Sequence, residues 1–155
     1  MSSCESPPFD WMLTGTHVQS FALVMEEDNP EKGLIYHWVI WNIPSTASKL
    51  SQNLPKIPIL QDGSDQGTND FGGIGYHPPD PKKGKKEKYT FKIFTLKEKL
   101  LLPHNTTGKQ LVELVKGKFV NYAEIRASYR YYSSMKLKNI NRTSDTSQNS
   151  STAEL

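Results

Sequence analysis

The sequence has almost no cysteine and no long apolar run, and each shortage excludes a class of protein. Cys4 is the single cysteine among 155 residues. No internal disulfide can form, and a reducing compartment is the economical expectation. No apolar stretch approaches the roughly 20 residues of a membrane-spanning helix. The first residues lack the charged-then-apolar pattern of a secretory leader, so a soluble, cytoplasmic protein is expected. Familiar catalytic signatures are missing too. No Gly-x-Ser-x-Gly elbow presents a nucleophilic serine. Gly72-Gly73-Ile74-Gly75 lacks the Lys-Ser/Thr and the strand–loop–helix setting of a phosphate loop. His17, His77 and His104 stand without the Cys or acid spacing of a zinc site.

Hydrophobic residues make up 35% of the chain and aromatic ones 10%, so large rings have to supply much of the core. Ten prolines and ten glycines favour turns and short strands over long helices. The length fits one domain. A net charge of +3 hides a split: residues 1–81 hold three lysines against ten acids, and residues 82–155 hold sixteen Lys plus Arg against six. Such asymmetry either marks an interacting half or lets two halves of one fold neutralise each other; mutual neutralisation is the preferred reading.

Tyr36–Pro44 is the most apolar stretch, and it carries His37 in its middle. Strand alternation puts Ile35, His37, Val39 and Trp41 on one side and Tyr36, Trp38 and Ile40 on the other. Bulk on both sides predicts an inner strand covered on two faces. A buried imidazole there needs a partner, and the acidic turn Glu26-Glu27-Asp28-Asn29-Pro30 precedes it closely. Ser20–Met25 reads as a strand leading into that turn, where Asx and Pro chemistry reverses the chain. Residues 45–88 form a long Gly-, Pro-, Asp- and Lys-rich region suited to walling a pocket.

Tyr89–Leu96 alternates as a strand. Thr107 with Gln110 makes a capping box, and Leu111, Leu114, Val115 and Phe119 form one helical stripe behind it. Ile125, Ala127, Tyr129 and Tyr131 read as a last strand. The expected class is therefore mostly β with a late α-helix. Residues 1–132 form the domain, and 133–155 form a Ser-, Thr- and Asn-rich tail that cannot repay its ordering entropy and is expected to be disordered.

Five features in order carry a resemblance: Ser6-Pro7-Pro8-Phe9-x-Trp11, Ser20-Phe21-Ala22-Leu23-Val24, the acidic turn ending in Pro30, His37-Trp38, and Gly75-Tyr76 followed by Tyr89. Together they resemble the phosphatidylethanolamine-binding protein family, nearest its bacterial-type, Raf kinase inhibitor-like branch. The resemblance implies an antiparallel β-sandwich with a small anion-binding pocket that takes phosphate-type head groups. It also implies a binding protein rather than an enzyme, without a cofactor, since several members inhibit kinases or proteases. In the family the acidic turn reads Asp-Pro-Asp-Ala-Pro, which aligns Glu26, Asp28 and Pro30 with it. His37 matches the pocket histidine, and Tyr89 closes the family's His-Arg-Tyr. Glu87 and Lys88 replace the first two residues of that triplet. Pro81-Lys82 stands for the Pro-Pro of the pocket wall, and Gly84 is retained. The chain also begins where the family already has one strand behind it.

The exchange at position 87 changes the chemistry, because a carboxylate only accepts where a histidine donates to phosphate oxygens. With Glu26, Asp28, Glu87 and His37 converging, an anion meets several negative charges, which the lysines at Lys82, Lys83, Lys85, Lys86 and Lys88 offset as a basic rim. The expected ligand is an anionic head group or phosphorylated small molecule, with a kinase or protease as a protein partner. Two alternatives stand beside it: a divalent metal on those three carboxylates and the imidazole, and a vestigial pocket that leaves protein–protein contact alone. The lysine run has no interleaved aromatics, so specific nucleic-acid binding is not expected.

Overall fold

A computed structural model describes residues 4–12, 15–82, 84–130 and 151–154. It contains eight strands and one helix in the order β1 (Phe9–Asp10), β2 (Ser20–Asn29), β3 (Gly33–Pro44), β4 (Lys49–Leu50), β5 (Asp65–Gln66), β6 (Lys86–Leu96), α1 (Gly108–Val115), β7 (Phe119–Arg130) and β8 (Ser151–Glu154). Six of the strands form one antiparallel sheet in the order β5-β3-β2-β6-β7-β8, and β1 pairs with β4 in a small second sheet. The protein is mostly β, as its composition predicts.

The inner strands β2 and β3 are buried on both faces of the large sheet, and a separate apolar cluster forms on each face. Phe21, Leu23, Met25, Trp38, Ile40, Tyr89 and Phe91 pack on one face beneath Leu50 and Leu60, with Phe9 and Trp11 from the small sheet's side. Ala22, Val24, Tyr36, Val39, Trp41, Phe94 and Leu96 pack on the other face, where Leu111 and Val115 of α1 cover them. Ser20 to Glu27 is buried throughout, since β2 has a neighbour on each side and cover on both faces. Tyr36 to Trp41 of β3 is buried as well, which agrees with an inner strand.

Strict alternation fails in β3, and the failure is specific. Met25 pairs with Trp38 but Glu26 pairs with Tyr36, so β3 carries an extra residue between them: His37. A bulge of this kind leaves one residue unpaired and re-aims its side chain. Tyr36 therefore joins Val39 and Trp41 on the helix side, while His37 turns to the side of Trp38, Tyr89 and Met25. The side assignment expected for Tyr36 and His37 is thus reversed.

The β2–β3 turn forms as its residues predict. Asn29 Oδ1 accepts from the backbone N–H groups of Glu31 at 3.0 Å and Lys32 at 2.9 Å, an Asx turn, and Gly33 follows at φ +79°. The capping box is present: Gln110 N–H donates to Thr107 Oγ1 at 3.3 Å and Thr107 N–H to Gln110 Oε1 at 2.9 Å. The helix is shorter than its apolar stripe suggests. Gly117, at φ +79°, breaks it after Val115, and Phe119 opens β7 instead. That strand is longer than the expected Ile125–Tyr131, and Tyr131 lies outside the described residues. The expectation of a disordered tail falls mostly on residues that are likewise not described, while Ser151–Glu154 pairs antiparallel with β7.

Candidate functional site

At one end of the sheet the β2–β3 turn and the approach to β6 enclose a pocket of about 270 Å³. The turn contributes Glu27, Asp28, Pro30 and Glu31; the β6 side contributes Lys82, Lys85, Lys86, Glu87 and Lys88. Adjacent strands put the walls together, because Glu27 of β2 lies directly across from Tyr89 of β6. Gly84, at φ +78°, lets the chain reverse before β6, and Lys85 N–H donates to the Lys82 carbonyl at 2.9 Å. Four lysines and four carboxylates line the pocket.

Behind the acidic wall lies a buried contact between an imidazole and a carboxylate. His37 Nε2 stands 2.8 Å from Glu27 Oε2, with side-chain exposures of 1% and 7%. His37 Nδ1 lies 3.0 Å from the His77 carbonyl oxygen. A carbonyl can only accept, so Nδ1 donates to it, and Nε2 is the nitrogen that faces the Glu27 carboxylate. Asn29 Nδ2 donates to the other Glu27 oxygen at 3.1 Å. The carboxylate is thereby held in one orientation, with its edge at the pocket. Rings close around the imidazole: Tyr89 meets it edge-on with centroids 5.1 Å apart, and Phe71 lies 4.8 Å away. Phe71 in turn stacks on His77 at 3.7 Å and 11°. Burial, aided by His37 and Lys56, holds the His77 imidazole below its ordinary pKa. The Tyr89 hydroxyl donates to Glu87 Oε2 at 2.9 Å, and burial with that carboxylate pushes the phenol well above its usual range.

Seven of the residues expected at the site line this pocket together: Asp28, Pro30, Lys82, Lys85, Lys86, Glu87 and Lys88. His37 and Tyr89 sit behind it. Pro81 and Gly84 belong to the wall's loop without lining the cavity, and Lys83 lies outside the described residues. Glu26 is elsewhere. Its parity on β2 sends it to the helix side, where it pairs with Lys92 Nζ at 2.8 Å and faces Tyr36, whose phenol burial and Glu26 together raise well above its usual range. The acid beside His37 is Glu27, its neighbour in sequence. Alternation along β2 alone puts Glu27 on the side of Phe21, Leu23 and Met25; the β3 bulge, which has no such signal, brings His37 there as well. The expected convergence of Glu26, Asp28, His37 and Glu87 is therefore corrected. Among the described residues no three His, Cys, Asp or Glu side chains are grouped to hold a metal ion.

The family profile described as "Phosphatidylethanolamine-binding protein" matches residues 2–130. The chain belongs to the phosphatidylethanolamine-binding protein family. Relatives in that family include the UPF0098 protein of Aquifex aeolicus, 35% identical over 127 residues, covering 81% of this chain and 74% of the relative. The UPF0098 protein of Methanothermobacter thermautotrophicus is 33% identical, covering 81% of this chain and 82% of its own. Among solved structures, Escherichia coli YbcL, described as a member of the mammalian family of these proteins, superposes with a TM-score of 0.75 at 30% identity, covering 82% of this chain and 80% of YbcL. A phosphatidylethanolamine-binding protein homologue from Chlamydia trachomatis gives a TM-score of 0.71 at 28% identity, over 81% of each chain. No helix among the described residues is long and apolar enough to cross a membrane.

Proposed function

We propose that this family member is a binding protein, not an enzyme, and that its end-of-sheet pocket takes a zwitterionic phosphate head group. One observation carries the reading: the pocket joins an acidic wall from the β2–β3 turn to a lysine wall from residues 82–88. Lysine ammonium groups attract phosphate as point charges, while Asp28 and Glu31 suit the ammonium end of a phosphoethanolamine group. One Glu27 oxygen is already held by His37 behind the wall. All four lysines are exposed, so affinity is modest and falls with salt. Engagement of a cytoplasmic signalling partner, such as a kinase or a protease, takes place at the same mouth and responds to its occupancy.

A ¹H–¹⁵N NMR titration with phosphoethanolamine tests the reading. Shifts confined to residues 27–31 and 82–89, weakened by added salt, are the expected result. Silence there, or binding undiminished when Lys82, Lys85, Lys86 and Lys88 are replaced by glutamine, would overturn it.

A further inference from the structure

On the helix side of the sheet, β6 and β7 carry a second hollow, of about 480 Å³, lined by Asp28, Lys86, Lys88, Thr90, Arg126 and Ser128 among others. Its origin is the ladder register. Lys88 lies across from Ser128 and Thr90 across from Arg126, and this parity continues to Phe94 and Leu96, which α1 covers. The eight-residue helix packs over the β3 part of the sheet, leaving the polar ends of β6 and β7 exposed.

Two features distinguish this hollow from an ordinary solvated sheet face. Its lining carries more positive than negative charge: Lys86, Lys88 and Arg126 line it with Asp28, and Glu124 meets Arg126 from the side. Lys86 and Lys88 make no ion pair among the described residues, and the Arg126 pairing with Glu124 at 2.9 Å leaves that side chain 71% exposed. The hollow also adjoins the head-group pocket, since Asp28, Lys86 and Lys88 line both. A carboxylate at the divide between two lysine-bearing hollows cannot accept phosphate, but it accepts hydrogen bonds from hydroxyl groups.

We propose that the two hollows form one bipartite site for a polyol bearing two phosphate groups. The first phosphate sits against Lys82 and Lys85 in the pocket, the second on Lys88 and Arg126 beside the Thr90 hydroxyl, and Asp28 accepts from hydroxyls of the linking polyol. This assignment rests on the head-group reading of the first lobe and extends it. It makes Arg126, 38 positions beyond Lys88 in sequence, a specificity-determining residue.

Titrations of the full chain with fructose 6-phosphate and fructose 1,6-bisphosphate, read by NMR, provide the test. The bisphosphate is expected to bind about tenfold more tightly, one charge-assisted contact's worth, and to shift Thr90, Arg126 and Ser128 in addition to residues 27–31 and 82–88. Arg126→Ala should abolish that advantage and leave monophosphate binding unchanged, while Arg126→Lys restores part of it. Lys99→Ala, beyond the far end of β6, controls for general charge. Equal affinity for the two sugars, an advantage that survives Arg126→Ala, or equal losses with Lys99→Ala would overturn the bipartite site with the head-group reading intact. No shift at residues 27–31 and 82–88 with either sugar would overturn both. Sedimentation with phosphatidylcholine vesicles carrying phosphatidylinositol 4,5-bisphosphate distinguishes a lipid source from a soluble one. Either source supports the site if Arg126→Ala abolishes the association.

Discussion

His37 Nε2 and Glu27 Oε2 are 2.8 Å apart in a setting almost closed to water, although their strands are not in register for a direct pairing. Glu27 pairs with Ile35, and only the extra residue in β3 brings the imidazole onto the carboxylate's side. Removing one partner of such a pair strands the other as a buried, uncompensated group, which costs about 3–5 kcal/mol. Glu27→Ala is therefore expected to lower unfolding free energy by that amount in urea denaturation. Glu27→Gln keeps a donor for the imidazole nitrogen and should cost about 1 kcal/mol, the scale of one neutral hydrogen bond. An alanine variant as stable as the parent would show that the pair contributes no net stability.

His77 provides the pH dependence. Its carbonyl anchors His37, and its ring is stacked under Phe71. The folded state holds this imidazole below its ordinary pKa of 6.5, first by burial and then through His37 and Lys56. The unfolded chain therefore takes up the proton first as pH falls. The stability contribution is complete above pH 6.5 and declines as pH drops from there through the lower folded value. His77→Phe keeps the stack and the carbonyl but removes the titration. Comparing urea midpoints at pH 7.5 and 5.5, the variant should lose less on acidification than the parent. Equal losses would assign the acid sensitivity to other groups.

Periodicity and turn chemistry made most of the fold legible. Asn29-Pro30 and Thr107 with Gln110 are local signals whose hydrogen bonds form between near neighbours, and the structure has both. The lining of the candidate pocket was legible in the ends of its strands, because Asp28, Glu87 and the lysines lie close in sequence to the turns that bring them together. Which of two adjacent glutamates meets His37 was not. That choice depends on a one-residue bulge in a different strand, in a run that is apolar on both faces and so carries no alternation to mark it. The Phe71–His77 stack over His37 had no local signal either; it needs the 67–77 segment folded back through Asn69, whose side chain donates to the Gly75 carbonyl at 2.9 Å and accepts from Phe71 and Gly73 N–H groups.

The start of α1 tests packing against propensity. A side chain at Gly108 would run directly into the Tyr36 ring, so the helix enters the sheet where only a hydrogen fits. Glycine to alanine in a helix gains about 1 kcal/mol in propensity, whereas forcing extra volume into a packed site costs about 1–3 kcal/mol. The ring is 5% exposed and held in the cluster, so packing should win and Gly108→Ala should be destabilising by about 1–2 kcal/mol. In a double-mutant cycle, Tyr36→Ala should relieve that cost. A Gly108→Ala variant more stable than the parent would mean that the helix can shift away from β3.

Glu87 sets the sign of the pocket's response to phosphate. It lines the cavity, accepts the Tyr89 hydroxyl and makes no ion pair among the described residues. At about 4 Å a like-charged neighbour costs between 1 and 4 kcal/mol, depending on screening. Glu87 is only partly buried, which puts the effect at the lower end. Glu87→His removes that repulsion and supplies a donor, and in its neutral form it keeps an acceptor for Tyr89. The variant should bind phosphoethanolamine about fivefold more tightly, the equivalent of roughly 1 kcal/mol, with the gain larger below pH 6.5, where the introduced imidazole is charged. Calorimetric or NMR titration at pH 6 and 8 reads both effects. Unchanged or weaker binding at pH 6 would mean that phosphate does not approach position 87, and would move the anion toward the lysines at the outer wall.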